Sequence, residues 1–253
     1  VVIDNTSAFR MDPQHPLVVP EVNAHVLEAI DGPEIIANPN CSTIQMVVAL
    51  APLAEAVGLE RVVVSTYQSA SGAGQGGVTE LIEELKNWAD AEEGEAWEAA
   101  EDVFAHPLAF EALPHIGSFD ESGFTTEELK MVNETRKIME QPDLSVASHC
   151  VRVPAIRAHS ESLTVDLAGE LTADEARRLW EVAEGVEVYD EPAAEKYPLA
   201  RMAAETDATW IGRIRGDIDR PETLHFWCVS DNLRKGAALN SVQIAERPIA
   251  LGN

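Results

Sequence analysis

The chain has 253 residues, 45% apolar and 25% charged, a globular composition long enough for one large domain or two smaller ones. Eighteen basic residues stand against 44 acidic ones, and the net charge of −26 excludes nucleic acid and anionic membrane surfaces as partners. There is no run of about 18 apolar residues to span a bilayer. The three cysteines are too few and too sparse for a disulfide framework; they fit a reducing, cytoplasmic setting, and none stands with histidine at zinc-ligand spacing, so no metal is expected.

The chain opens directly in a strand-like run, VVID (1–4), with neither an initiator Met nor the basic and apolar regions of a signal peptide. Residues are therefore expected to be missing upstream. A short helix over 21–30 and a strand over 34–38 follow, then a long apolar helix over 41–58. RVVVSTYQ (61–68) is a β-branched strand, followed by a glycine-rich turn over 69–77. A polar helix is predicted from about 78 to about 105; its acidic stretch from Asp90 to Asp102 reads as a solvated face. A helix over 125–139 has Thr125 or Thr126 to cap it. Period-2 alternation places at least two strands in 145–167. A helix over 172–185 opens on a capping box, Thr172 with Glu175. Antiparallel strands over 208–218 and 222–231 precede a closing helix over 232–246. Strands between helices without regular βαβ spacing predict an α+β domain attached to the edge of an α/β one.

Cys41 falls in NPNCST, where a turn starts the long helix. Unpaired N–H groups and the helix dipole there favour an anion, and the thiolate is cysteine's reactive form. The alternative is a small buried apolar side chain, the stronger reading for Cys150 and Cys228 inside apolar strands. A nucleophilic cysteine needs a proton partner; His159 follows Arg152 and Arg157 at the start of a strand, whereas the other six histidines read as structural. Gly72, Gly74 and Gly77 match G-x-G-x-x-G, but the acidic residue about 20 positions on is absent, so this loop is not the adenine-side fingerprint. It reads either as a flexible turn or as backbone that something flat can approach closely. Glu127 and Lys130 share a helix face: a surface ion pair, or an anion and a cation presented to a zwitterionic or phosphorylated substrate.

Taken together and in order, DNTSAFRMD, NPNCST, TYQSASGAG, FTTEELKMVNETRKIM, RVPAIRAHSESLTV and DNLRKGAALNSVQIAE resemble the aspartate-semialdehyde dehydrogenases, from residue 1 to residue 253. The resemblance implies NADPH-dependent reductive dephosphorylation of 4-phospho-L-aspartate to L-aspartate 4-semialdehyde, in the aspartate-family pathway to diaminopimelate, lysine, threonine and methionine. It implies Cys41 as the thioester-forming nucleophile, Gln68 beside it, and His159 as acid/base. Arg152 would hold the α-carboxylate and Glu127 the ammonium, while Arg10, Asn40 and Lys130 would bind phosphate. Ser71, Gly72 and Asn232 would meet the nicotinamide end of NADP. The implied fold is a partial Rossmann-like half, residues 1–40 with 232–253, and an α+β catalytic and dimerisation domain with a mostly antiparallel sheet, residues 41–231. The implied assembly is a homodimer or a dimer of dimers. The family's glycine-rich phosphate loop and adenosine 2′-phosphate site have no counterpart in the chain.

Other readings carry distinct marks. N-acetyl-glutamyl-phosphate reductase, a related acylating dehydrogenase, would have no charge to meet Glu127. A non-catalytic dimeric paralogue would lack Cys41. A thiol hydrolase using Cys41 and His159 would need no nicotinamide.

Overall fold

The computed structural model describes residues 1–92 and 102–247. Strand β1 (Val2–Asp4) pairs in parallel with β2 (Ile35–Ala37), joined through helix α1 (Pro20–Asn23) and a 3-10 turn over Ala24–Ala29. Val18, Leu27, Ile30 and Ile36 form a small core there, which the closing helix α7 (Leu239–Glu246) completes with Ile244. β2 leads through a three-residue turn into α2 (Cys41–Val57).

The remaining strands form one six-stranded mixed sheet. Its members are β3 (Leu59–Gln68), β4 (Ser145–Arg152), β5 (His159–Leu167), β6 (Val186–Val188), β7 (Thr209–Gly216) and β8 (Thr223–Ser230). Their spatial order is β4-β3-β5-β8-β7-β6. The three central pairings, β3–β5, β5–β8 and β8–β7, are antiparallel; the two outer ones, β3–β4 and β7–β6, are parallel. The sheet is thus mostly antiparallel, as the resemblance implies.

α2 lies against this sheet with α4 (Thr126–Ile138) and α5 (Ala173–Val182) beside it. Its N-terminal half is enclosed on every side, with Ile44, Met46, Val47 and Leu50 wholly buried, while Glu55 and Ala56 near its end are exposed. Trp180 of α5 locks onto it, its indole N–H donating to the carbonyl of Ala49 at 2.8 Å. Thr125 and Thr172 cap α4 and α5, each in a capping box. On the opposite face the short helix α6 (Ala200–Ala203) packs against β8 through Ala203 and Val229, and beside it Tyr67 and Trp227 lie with ring centres 5.4 Å apart. No helix among the described residues is long and apolar enough to cross a membrane.

Three local expectations change. The glycine run is no open loop: a 3-10 turn over Ala70–Ala73 leads into α3 (Gly74–Asp90), whose first turn holds Gly76 and Gly77. Gly77 is required there, because a Cβ would come within 2.8 Å of both the Ala70 carbonyl oxygen and the Phe104 ring. α3 ends where Ala91 turns extended, short of the expected residue 105; residues 93–101, most of the acidic stretch, lie outside the described residues. The closing helix begins not at Asn232 but as a π-helical turn over Arg234–Ala238, where the Asp231 side chain accepts from the N–H groups of Leu233 and Arg234 and Asn232 holds the loop at Ala158.

Leu50 sits in the middle of α2 with no exposed surface. Leu50→Ala is expected to lower the free energy of unfolding by about 3 kcal/mol through lost burial and a residual cavity. Urea unfolding measures this, and a loss under about 1 kcal/mol would mean that α2 is not the packed centre described.

Candidate active site

The site begins with the cap of α2. Asn40 is extended, and its side-chain oxygen accepts from the backbone N–H groups of Ser42 and Thr43 at 3.1 and 3.3 Å, which makes Cys41 the first helical residue. Asn40 is itself held at two points. Its backbone N–H donates to Glu134 at 2.6 Å, and its side-chain amide donates to Glu127 at 2.9 Å. Gly236 passes so close over Cys41 that a Cβ there would lie 2.8 Å from the cysteine's own Cβ. Only glycine keeps that turn against the helix start.

The ends of three adjacent strands supply the facing wall. Gln68 closes β3, in register with Arg152 at the end of β4, while His159 opens β5. Gln68 donates to Glu127 at 3.2 Å. Arg152 donates through Nη1 to the carbonyl of Ser69 at 2.7 Å, a neutral acceptor that leaves its charge available to an anion in the cleft. His159 is completely buried, and its Nδ1 accepts from the backbone N–H of Ser69 at 3.1 Å. A nitrogen that accepts carries no proton, so in the neutral ring the proton sits on Nε2. That Nε2 is buried and has no protein partner. Gly72 lies over it: a Cβ on Gly72 would come within 3.1 Å of Nε2 and 2.5 Å of Arg152 Nη1. The absence of that Cβ leaves both donors room toward the cleft.

The third side comes from α4 and the loop after β1. Glu127, two residues inside α4, collects Asn40 and Gln68 on one oxygen and Lys130 on the other, the last at 3.1 Å. Arg10 reaches in from the loop and pairs with Glu134 at 3.1 Å. The Lys137 ammonium holds that loop in place by donating to the carbonyls of Arg10, Asp12 and His15 at 2.7 to 2.9 Å. On the rim, the Asn232 side-chain oxygen accepts from Ala158 N–H at 3.0 Å and from the Ser71 hydroxyl at 3.2 Å. The resulting cleft has a volume of about 540 Å³. Arg10, Asn40, Cys41, Gln68, Ser71, Gly72, Glu127, Lys130, Arg152 and Asn232 all line it. His159 does not reach its surface but stands behind Gly72.

The electrostatics correct one expectation. The helix start is expected to favour a Cys41 thiolate. Instead, burial, and after it the negative charge of Glu127, pushes the thiol up from its ordinary 9 to about 12. Arg152 and the Ser42 amide pull the other way without prevailing. Burial, reinforced by Arg152, pushes His159 down to about 3. The pair is therefore neutral thiol and neutral imidazole. Cys150 and Cys228 are fully buried and pushed up as well, while Cys41 is half-buried and reaches the cleft.

Sequence reasoning did not single out Glu134, Gly236 or Lys137. For Glu134 a signal existed: it lies seven residues after Glu127, two helical turns along the same face. Gly236 and Lys137 act on partners distant in sequence, which no spacing shows.

A cleft with a cysteine at a helix start, a buried imidazole behind it and three cations can hold an anionic substrate against a thiol, and the comparisons define the class. Residues 50–235 match the family model described as semialdehyde dehydrogenase, dimerisation domain, and residues 1–30 match semialdehyde dehydrogenase, NAD binding domain. The chain is 50% identical over 246 residues to the aspartate-semialdehyde dehydrogenase of Aquifex aeolicus and 49% identical over 249 residues to that of Bacillus subtilis. In each case it covers 97% of this chain and 71% of the relative. The solved structure of aspartate semialdehyde dehydrogenase II from Vibrio cholerae, complexed with ASA, superposes with a TM-score of 0.92 at 43% identity, again over 97% of this chain and 71% of that one. The chain belongs to the aspartate-semialdehyde dehydrogenase family.

His159 is expected to remain the neutral Nε2–H tautomer between about pH 5 and about pH 8, read from its ring-nitrogen NMR shifts. Unfolded, the ring takes a proton near 6.5; folded, it takes one only near 3. Its contribution to stability is thus intact above 6.5 and is lost as pH falls between those values. A His159 titration near 6.5 would contradict the buried site described here.

Proposed function

We propose that this chain carries the substrate site for reduction of 4-phospho-L-aspartate to L-aspartate 4-semialdehyde and phosphate, and for the reverse reaction, with NADPH as the reductant. The observation that carries this reading is the convergence of Cys41, three cations and one central carboxylate on a single cleft, with the His159 Nε2 buried behind Gly72 at its wall. An amino-acid head group asks for a guanidinium and a carboxylate, which Arg152 and Glu127 supply. A phosphate dianion asks for cations and N–H donors, which Arg10, Lys130 and Asn40 supply. An arriving ammonium group takes the Glu127 oxygen that Lys130 occupies, and Lys130 turns to the phosphate.

Cys41 sulfur then bonds to the acyl carbon as the carbon–oxygen bond to phosphate breaks. The phosphate leaves with that electron pair and takes the thiol proton, so the products are a thioester and hydrogen phosphate. The His159 Nε2–H stands ready to donate to the acyl oxygen whenever negative charge gathers on it, and Gln68 orients the acyl group. A reduced nicotinamide, when bound, supplies the hydride for the thioester carbon. The Ser71 hydroxyl, the glycine backbone at 72 and the Asn232 amide form a polar rim without a side chain projecting from residue 72, which fits close approach of a flat ring. NADP rather than NAD rests on the family resemblance. The same reading makes residues 1–40 with 232–253 the remainder of the NADP-binding domain and 41–231 the catalytic and dimerisation domain. It makes the assembly a homodimer, or a dimer of dimers.

Iodoacetamide is expected to modify Cys41 before Cys150 and Cys228, and inorganic phosphate is expected to slow that modification. Cys41→Ser is expected to abolish turnover of L-aspartate 4-semialdehyde with the fold intact. Peptide mass spectrometry after brief alkylation reads the order; faster modification of Cys150 or Cys228 would remove Cys41 as the nucleophile.

A further inference from the structure

Glu134 is buried to within 1% of its surface, yet it faces the cleft's two anion-binding elements at once. One carboxylate oxygen accepts from Arg10 Nη1 at 3.1 Å; the other accepts from the backbone N–H of Asn40 at 2.6 Å. These partners lie 124 and 94 residues away in sequence, so this one side chain sets the position of the loop after β1 relative to the start of α2.

Arg10 needs such a setting. Its side chain is long, and its only other hydrogen bond among the described residues runs from Nη2 to the carbonyl of Asn5 at 3.2 Å. A guanidinium has five N–H hydrogens, and these two bonds use two of them. With one edge fixed on Glu134, the remaining hydrogens are aimed rather than free to rotate. The other partner is equally exacting. The Asn40 N–H lies one residue before Cys41, and inside the protein it would be an orphan donor without the carboxylate.

We propose that Glu134 is a positioning residue that sets the cleft's affinity for phosphate, by fixing the guanidinium of Arg10 and the N-terminal turn of α2 in one geometry. The inference rests on the reading of Arg10 and Asn40 as phosphate ligands and deepens it. Glu134 does not touch the substrate; it acts through those two groups. The amino-acid head group is received elsewhere, on Glu127 and Arg152, so Glu134 governs one half of substrate recognition and not the other.

Glutamine is the informative replacement. It keeps the shape, but its single carbonyl oxygen can satisfy only one donor, and its NH₂ then faces the other donor. Calorimetric titration of the full chain with inorganic phosphate and, separately, with L-aspartate 4-semialdehyde gives the test. Glu134→Gln is expected to weaken phosphate binding about tenfold, the loss of one hydrogen bond to a charged group, and to change semialdehyde binding by less than about twofold. Glu134→Asp, too short to reach both partners, is expected to be intermediate and serves should the glutamine variant not fold. Arg10→Ala is expected to weaken phosphate binding on its own. In the Arg10→Ala background, Glu134→Gln is expected to cost less than in the unaltered protein, because the part of its effect exerted through Arg10 is already lost. If Arg10→Ala leaves phosphate binding unchanged, the underlying assignment of Arg10 fails. If Arg10→Ala weakens phosphate but Glu134→Gln and Glu134→Asp do not, the positioning role fails. Equal weakening of both ligands, or an equal effect in both backgrounds, would mean that Glu134 only holds the fold together and would overturn the proposal.

Discussion

The site depends on one buried carboxylate. Glu127 is almost without exposed surface, and three elements of the fold deliver donors to it: Asn40 from the cap of α2, Gln68 from the end of β3 and Lys130 from the next turn of its own helix. A carboxylate in that position needs them, because an unpaired buried charge costs several kcal/mol. The donors need it equally. Asn40 caps the helix that begins at Cys41, and Gln68 and Arg152 end paired strands, so the same carboxylate fixes the spacing between the nucleophile and the wall that faces it.

The carboxylate also acts at a distance. Its charge adds to burial in keeping Cys41 a neutral thiol, while Arg152 opposes it. In the proposed reading this has a chemical consequence. A substrate ammonium that lands on Glu127 compensates the charge that holds the thiol protonated, and the same event frees Lys130 for phosphate. The cysteine is then most reactive when the correct amino acid is in place, which is differential stabilisation of the reacting state and not of the free protein. His159 complements it: neutral over the ordinary pH range, with its donor hydrogen unmet, it costs nothing to reorganise when oxyanion character develops.

Much of this was legible in the residues. Local signals marked the helix starts at Thr172 and at Thr125 or Thr126, and the turn before Cys41 announced that the cysteine opens a helix. β-branched runs and alternation marked the central strands. Short elements were not legible: β6 and helix α6 (Ala200–Ala203) are three and four residues long and are held by neighbours, not by their own pattern. The charge states were the larger miss. A helix start does favour a thiolate, yet whether burial outweighs the dipole depends on what covers the sulfur, and Glu127 and Gly236 come from positions far along the chain. Glu134 carried a signal in its seven-residue spacing from Glu127, but its partners Arg10 and Asn40 are assembled only by the fold.

The most direct test of this account is the pH dependence of Cys41 alkylation in Glu127→Gln compared with the unaltered protein. Removing the charge takes away the second cause of the raised thiol pKa and leaves burial and Arg152 as they were. The account predicts that the alkylation profile of the variant moves to lower pH, with faster modification of Cys41 near neutrality. A profile that is unchanged, or displaced to higher pH, would contradict the claim that the charge of Glu127 adds to burial in holding the thiol protonated.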